Sequence, residues 1–311
     1  MRYIGLATQQ RQNNIRSLVL VILFPVLLLV LCYLAMFILV YYTQENPSQK
    51  MVLHAFAGAA PYVIIFVAIW FFIAYFSNTM IINYATQAQP LTRKDNMRIY
   101  NLTENLCMSV GMPMPKINII EDSALNAFAS GLNDKTYTVT LTRGIINTLN
   151  DEELEGVIAH ELSHIRNRDV RLLIISIVFV GIFAMIAQIG FRMALFSGGG
   201  RRDRNGNSNI IILVIVMVVA IVGYFVSVLM RFAISRKREY LADASAAEMT
   251  KNPHALASAL RKISGNPTLQ NEVPDSVSQL FIDHPEQKSA LASLFATHPP
   301  ITKRIQILEQ F

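Results

Sequence analysis

Apolar and polar positions alternate along this chain on two very different length scales. Over residues 18–42, 55–76, 172–191 and 210–230 the apolar side chains run on with almost no charge. Each run reaches or exceeds the ~20 residues that a helix needs to cross a bilayer core. Pro25 and Pro61 fall inside the first two runs, where they kink a membrane helix without excluding it. The first run is too long for a signal-peptide core and lacks a small-residue cleavage site, so it is expected to be retained. Between and after these runs the pattern shortens. Residues 91–110 carry a helical spacing, and 116–121 read as a short strand after Gly-Met-Pro-Met-Pro. Residues 136–142 alternate strictly: Tyr137, Val139 and Leu141 face one way and four threonines the other, as in a half-exposed strand.

The expected organisation is a polar tail (1–17), two spans with a short loop (18–80), and a first polar segment (81–171). A hydrophobic hairpin (172–230) and a second polar segment (231–311) follow. The two polar segments together are long enough to build one domain with a core. Residues 197–209, Ser-Gly-Gly-Gly-Arg-Arg-Asp-Arg-Asn-Gly-Asn-Ser-Asn, form a basic low-complexity loop without the Gly-Lys-Ser/Thr ending of a phosphate-binding loop.

Composition agrees with a membrane protein: of 311 residues 53% are hydrophobic and 15% charged, against about 25% charged in soluble domains. Arg2, Arg11 and Arg16, then Arg93, Lys94 and Arg98, then Arg231, Arg236, Lys237 and Arg238 flank the spans on one side. The positive-inside rule makes that side the cytoplasm, while Arg201, Arg202 and Arg204 fall on the opposite side, against the rule. Basic anchors account for the net charge of +6, which is no argument for nucleic acid. Only two cysteines, Cys32 and Cys107, are present, so a thiolate zinc site is excluded by number and a reducing compartment fits.

The chemistry lies at His160-Glu161-Leu162-Ser163-His164. The preceding run opens like a helix: Asn150 can cap it, Glu153 completes a capping box, and Asp151 and Glu152 suit the positive end. Histidines four apart leave one helix face together and supply half of a tetrahedral zinc site. A glutamate beside the first can act on a zinc-activated water. A third ligand is needed, and His254, His284, His298, Glu239 and Asp243 are the candidates. Glu239 and Asp243 lie four apart on a helical stretch, so one could bind zinc while the other accepts the N–H of a ligand imidazole. The competing reading is a solvated face paired with Arg236 or Lys237. Strand 136–142 is either an ordinary sheet member or an edge on which a substrate backbone pairs through Thr138 and Thr140. Asn126 either holds substrate backbone or sits in a turn.

Several motifs in order resemble the HtpX-type membrane zinc metallopeptidases, which are related to the type I CAAX prenyl protease. They are Asn126-Ala-Phe-Ala, His160 to Asp169, Ser235 to Asp243, Ala255 to Ile263, and Thr297-His-Pro-Pro with Arg304. The resemblance implies an α-helical integral membrane protein with four spans and a mainly helical gluzincin-type domain containing a small sheet. It implies one zinc held by His160, His164 and Glu239, with Glu161 as acid/base; Asp243 remains the candidate, by its spacing from Glu239, to support a zinc imidazole. His298, with Tyr240 behind it, is the candidate for oxyanion support; the alternative is a structural turn before Pro299-Pro300. The family further implies an active site on the cytoplasmic face of a bacterial inner membrane, acting on damaged or unfolded membrane proteins. The tail before the first span is longer and more polar than in the shortest members. Runner-up readings are a processing protease for one lipidated or membrane substrate, and a zinc-stabilised membrane scaffold without turnover. A transporter is disfavoured because no span carries a paired ionisable residue.

Overall fold

The structure is a computed structural model describing residues 6–196, 214–215, 217–223, 225, 236–269, 273, 277, 280–282 and 299–311. Long helices dominate: α1 Leu6–Thr43, α2 Gln49–Thr86 and α6 Asp169–Phe196. Shorter ones are α3 Met97–Val110, α4 Arg143–Thr148, α5 Asp151–Arg166, α7 Arg236–Thr250, α8 Pro253–Ile263 and α9 Ile301–Leu308. The strands are β1 Gln89–Pro90, β2 Lys116–Ile120, β3 Ala127–Ser130 and β4 Thr138–Thr142.

Three of the described helices are long and apolar enough to cross a membrane: Gln10–Thr43, Gln49–Thr86 and Asp169–Arg192. The expected fourth span and the basic loop 197–209 lie largely or wholly outside the described residues. With 38 residues α1 is about 57 Å long, well beyond a ~30 Å hydrocarbon core. Its polar first turns, residues 6–17, supply about 18 Å of that length.

The chain divides into two compact units, residues 18–75 with 175–230, and residues 1–17, 76–174 and 231–311. The first has an apolar seam of Phe24, Leu28, Leu31, Val67, Ile182, Phe183 and Val219. There Phe24 sits edge-on to both Phe71 and Phe183, with centroids 6.3 and 5.4 Å away. Outward side chains such as Leu18, Ile22, Ile65, Ile69 and Phe72 stay exposed, as a lipid-facing surface requires.

The second unit packs helices against a four-stranded mixed sheet of order β1-β2-β4-β3. Strand β4 runs parallel to β2, with Val139 opposite Ile117, and antiparallel to β3, with Thr140 opposite Phe128. This corrects the edge-strand reading: both sides of β4 are already paired. All five of its residues are buried, so neither face is solvated and the alternation of threonines does not mark an exposed side. Strand β3 was not anticipated; four residues of Ala-Phe-Ala-Ser carry too little alternation to announce a strand. Helix α3 begins at Met97 rather than near residue 91, because Asn96 caps it by accepting from the Ile99 N–H.

Helix α5 runs through the middle of this unit, against α3, α7, α8 and the sheet. Its start is a full capping box: Asn150 Oδ1 accepts from Glu153 N–H, and the Glu153 carboxylate accepts from Asn150 N–H, at 2.9 and 3.0 Å. Gly156 permits the approach of α8, since a Cβ there would stand 3.2 Å from the Leu256 backbone.

Candidate metal centre

Helical spacing brings His160 and His164 to one face of α5, with ring centroids 4.7 Å apart and planes at 89°. The packing of α7 across that face delivers Glu239. The three side chains place a ligand atom each within 4.8 Å of one another. His160 Nε2 lies 3.2 Å from His164 Nε2 and 3.6 Å from Glu239 Oε2, and His164 Nε2 is 3.5 Å from Glu239 Oε1. A tetrahedral zinc with ligands at 2.0–2.2 Å requires neighbouring donor atoms roughly 3.3–3.5 Å apart. The donor set and its spacing therefore fit such an ion. His254, by contrast, is exposed and outside the group, while His284 and His298 lie outside the described residues.

Around the donors stands a buried shell of charge. Asp243, one helical turn beyond Glu239, has Oδ1 3.0 Å from His160 Nδ1. Asp169, just past the end of α5, has Oδ2 3.4 Å from His164 Nδ1. Each carboxylate can accept the Nδ1 proton, leaving the Nε2 lone pair for the metal. Arg304 from α9 grips Asp243 with two hydrogen bonds, Nε to Oδ2 at 2.9 Å and Nη2 to Oδ1 at 2.7 Å. It also reaches within 3.6 Å of Glu239 Oε2 and donates to Ile282 O. Only 1% of Arg304 is exposed, so this guanidinium is held for its partners rather than for solubility. Arg238 Nη1 lies 3.3 Å from Asp169 Oδ1.

Three carboxylates, Glu239, Asp243 and Asp169, thus face the two imidazoles, with Arg304 and Arg238 set against them. The imidazole of His160 registers those carboxylates. Burial and Arg304 press its pKa down, yet Asp243 and Glu239 overcome both and lift it to about 9. Burial alone would raise Asp243, but the Arg304 charge and hydrogen bonds hold it below the ordinary carboxylate value. Glu161 is 2% exposed, and burial pushes its carboxyl up against the pull of the nearby imidazoles.

Among the other candidates, Tyr240 is half-buried on α7. Asn126 is 2% exposed and its amide is committed within the protein: Nδ2 donates to Pro267 O, and Oδ1 accepts from Ala127 and Ile282 N–H. These bonds tie the amide to distant segments rather than closing a turn, and they correct the substrate-holding reading. Thr138 and Thr140 are fully buried inside the sheet and cannot meet a substrate strand. The far side of β3 is no open edge either: all four of its residues are buried, and the Ala127 C=O accepts from Ile282 N–H at 3.0 Å. Sequence reasoning gave no role to Asp169 or Arg304. Asp169 lies five residues past the second histidine and beyond the end of α5, so helical spacing alone did not point to it. Arg304 carried no local signal either, because only folding brings it to residues 61 and more positions away.

An integral membrane protein with a His-Glu-x-x-His helix, a carboxylate from a later helix and a mostly helical fold defines a class, the membrane metalloproteases. Residues 93–311 match the model of peptidase family M48, and the chain belongs to that family. It is 60% identical over 323 aligned positions to a protein named Protease HtpX homolog from Bacteroides fragilis, covering all of both chains. A Protease HtpX homolog of Streptococcus uberis is 36% identical over 303 positions, covering 96% of this chain and 98% of the relative. A crystal structure of Ste24p from S. mikatae aligns with 80% of this chain and 58% of its own at TM-score 0.49 and 22% identity.

Proposed function

We propose that this protein is a zinc-dependent endopeptidase of the gluzincin type, acting on damaged or unfolded membrane proteins. The observation that carries the reading is the convergence of His160, His164 and Glu239 beside Glu161. When bound, a zinc ion supplies a Lewis acid that polarises a carbonyl and activates water. Glu161 takes the proton of the attacking water and returns it to the leaving amine. Asp243 and Asp169 fix the tautomers of His160 and His164, and Arg304 fixes Asp243. His298, with Tyr240, is assigned to oxyanion support.

In this reading residues 172–230 form two spans, giving four, and the site faces the cytoplasm of a bacterial inner membrane. A processing protease for a single lipidated substrate is the second reading, and a non-catalytic zinc scaffold the third. Glu161 favours catalysis over the scaffold, since a structural site needs no carboxylate beside an open metal position. The test is incubation of the purified full-length protein with unfolded casein. Cleavage that requires zinc and stops with chelator is expected; intact casein under all conditions would remove the broad-specificity reading.

A further inference from the structure

The polar turns of α1 that precede its apolar run meet the end of the metal-bearing helix. Gln10 Nε2 donates to Arg166 O at 2.7 Å, and Asn13 Nδ2 donates to Asn167 O at 2.9 Å. Those carbonyls end α5, where a helix has no partners of its own for its last C=O groups. The junction that follows is tight: Arg168 takes a left-handed conformation at φ +60°, and α6 starts at Asp169. The second proton of the Asn13 amide goes to Asp169 Oδ1 at 2.8 Å.

That last bond divides the Asp169 carboxylate. Oδ1 takes Asn13 and Arg238, and Oδ2 faces His164 Nδ1. Asn13, Asn167, Asp169 and Arg238 are all at least 92% buried, so water does not compete for these bonds. A neutral amide is suited to the task, since it orients the carboxylate without cancelling the charge that His164 senses. We propose that Asn13 is a positioning residue of the metal centre, holding Asp169 so that His164 presents its Nε2 to the ion. The polar tail thereby belongs to the site, which reaches from residue 13 to residue 304. This inference rests on metal binding by His160, His164 and Glu239.

The test uses full-length protein carrying Glu161→Gln to suppress self-cleavage, loaded with zinc or cobalt(II). Zinc release to a chromophoric chelator and the cobalt visible spectrum are the readouts. Asn13→Leu should release zinc about tenfold faster, the lower end of the usual cost of losing support behind a metal imidazole. Asn13→Asp, which sets a carboxylate against Asp169, should do so too, and both should alter the cobalt band. Asp169→Asn should be at least as damaging, and the Asn13→Leu/Asp169→Asn double variant no worse than Asp169→Asn alone, because both act through one bond. Gln10→Leu removes a cap of the same helix end without touching Asp169, and should leave the cobalt spectrum unchanged. Parent-like release from both Asn13 variants, or effects that add fully to Asp169→Asn, would overturn the proposal. A parent protein that retains no zinc would instead defeat the metal reading itself, and this inference with it.

Discussion

At the residue scale the division of labour within the site predicts separable defects. Glu161→Gln removes a proton carrier without removing a ligand, so zinc content should stay near one per chain while casein cleavage disappears. Full activity in that variant would contradict the proposed mechanism. Arg304 gives a sharper case. Lysine keeps the charge but cannot reproduce the paired bonds to Asp243, so Arg304→Lys should not restore zinc retention lost in Arg304→Ala. Removing the guanidinium leaves Asp243 and Glu239 buried without it, at a cost of about 3–5 kcal/mol. Thermal unfolding of the two variants, read beside zinc content, checks this. His160 and His164 were readable from sequence because they share one helix turn. Asp169 stands on the next helix, past the left-handed Arg168, and Arg304 required the tertiary contact between α7 and α9.

At the scale of the element, the helix that carries the site is fixed at its start. Asn150→Ala should cost about 1 kcal/mol, measured as a lower thermal midpoint in detergent, since it removes half of the capping box. Glu153 adds a pH dependence. Burial opposes its ionisation, but hydrogen bonds from Lys262, Ser258 and the Asn150 backbone more than offset this and hold its pKa below 4.5. A lowered folded pKa means stability present above the unfolded value and lost as pH falls through the folded one. The protein should therefore lose stability on acidification below about pH 4.5, and Glu153→Gln should flatten that part of the profile. This start was legible in sequence because a cap is a local pattern. The sheet was not: strand β4 has the same alternation whether it lies at an edge or in the middle, and only the partners β2 and β3 decide. A short parallel pairing between residues 116–120 and 138–142 leaves no local trace.

At the scale of the whole molecule, the candidate ligands lie on either side of the apolar stretch 172–230, so the segments bearing His164 and Glu239 must share one compartment for the site to form. Single cysteines at Ser48, Ser123, Ser208 and Ser289, with Cys32 and Cys107 replaced, can be probed on intact cells with an impermeant thiol reagent. Position 48 should label, and 123 and 289 should stay protected. Position 208 labels if the hairpin crosses fully. Labelling at 123 without 48 would place the site on the far face. The assembly of the site from distant segments also gives it a timing during synthesis. A ribosome that has made His164 must add 75 further residues to reach Glu239, roughly 4–15 s at 5–20 residues per second, and 65 more to reach Arg304. Until then the emerging chain holds two imidazoles and no third donor, too few for a stable metal site. The nascent chain thus cannot complete the candidate metal centre until residues 172–230 have been made and the last helices have arrived.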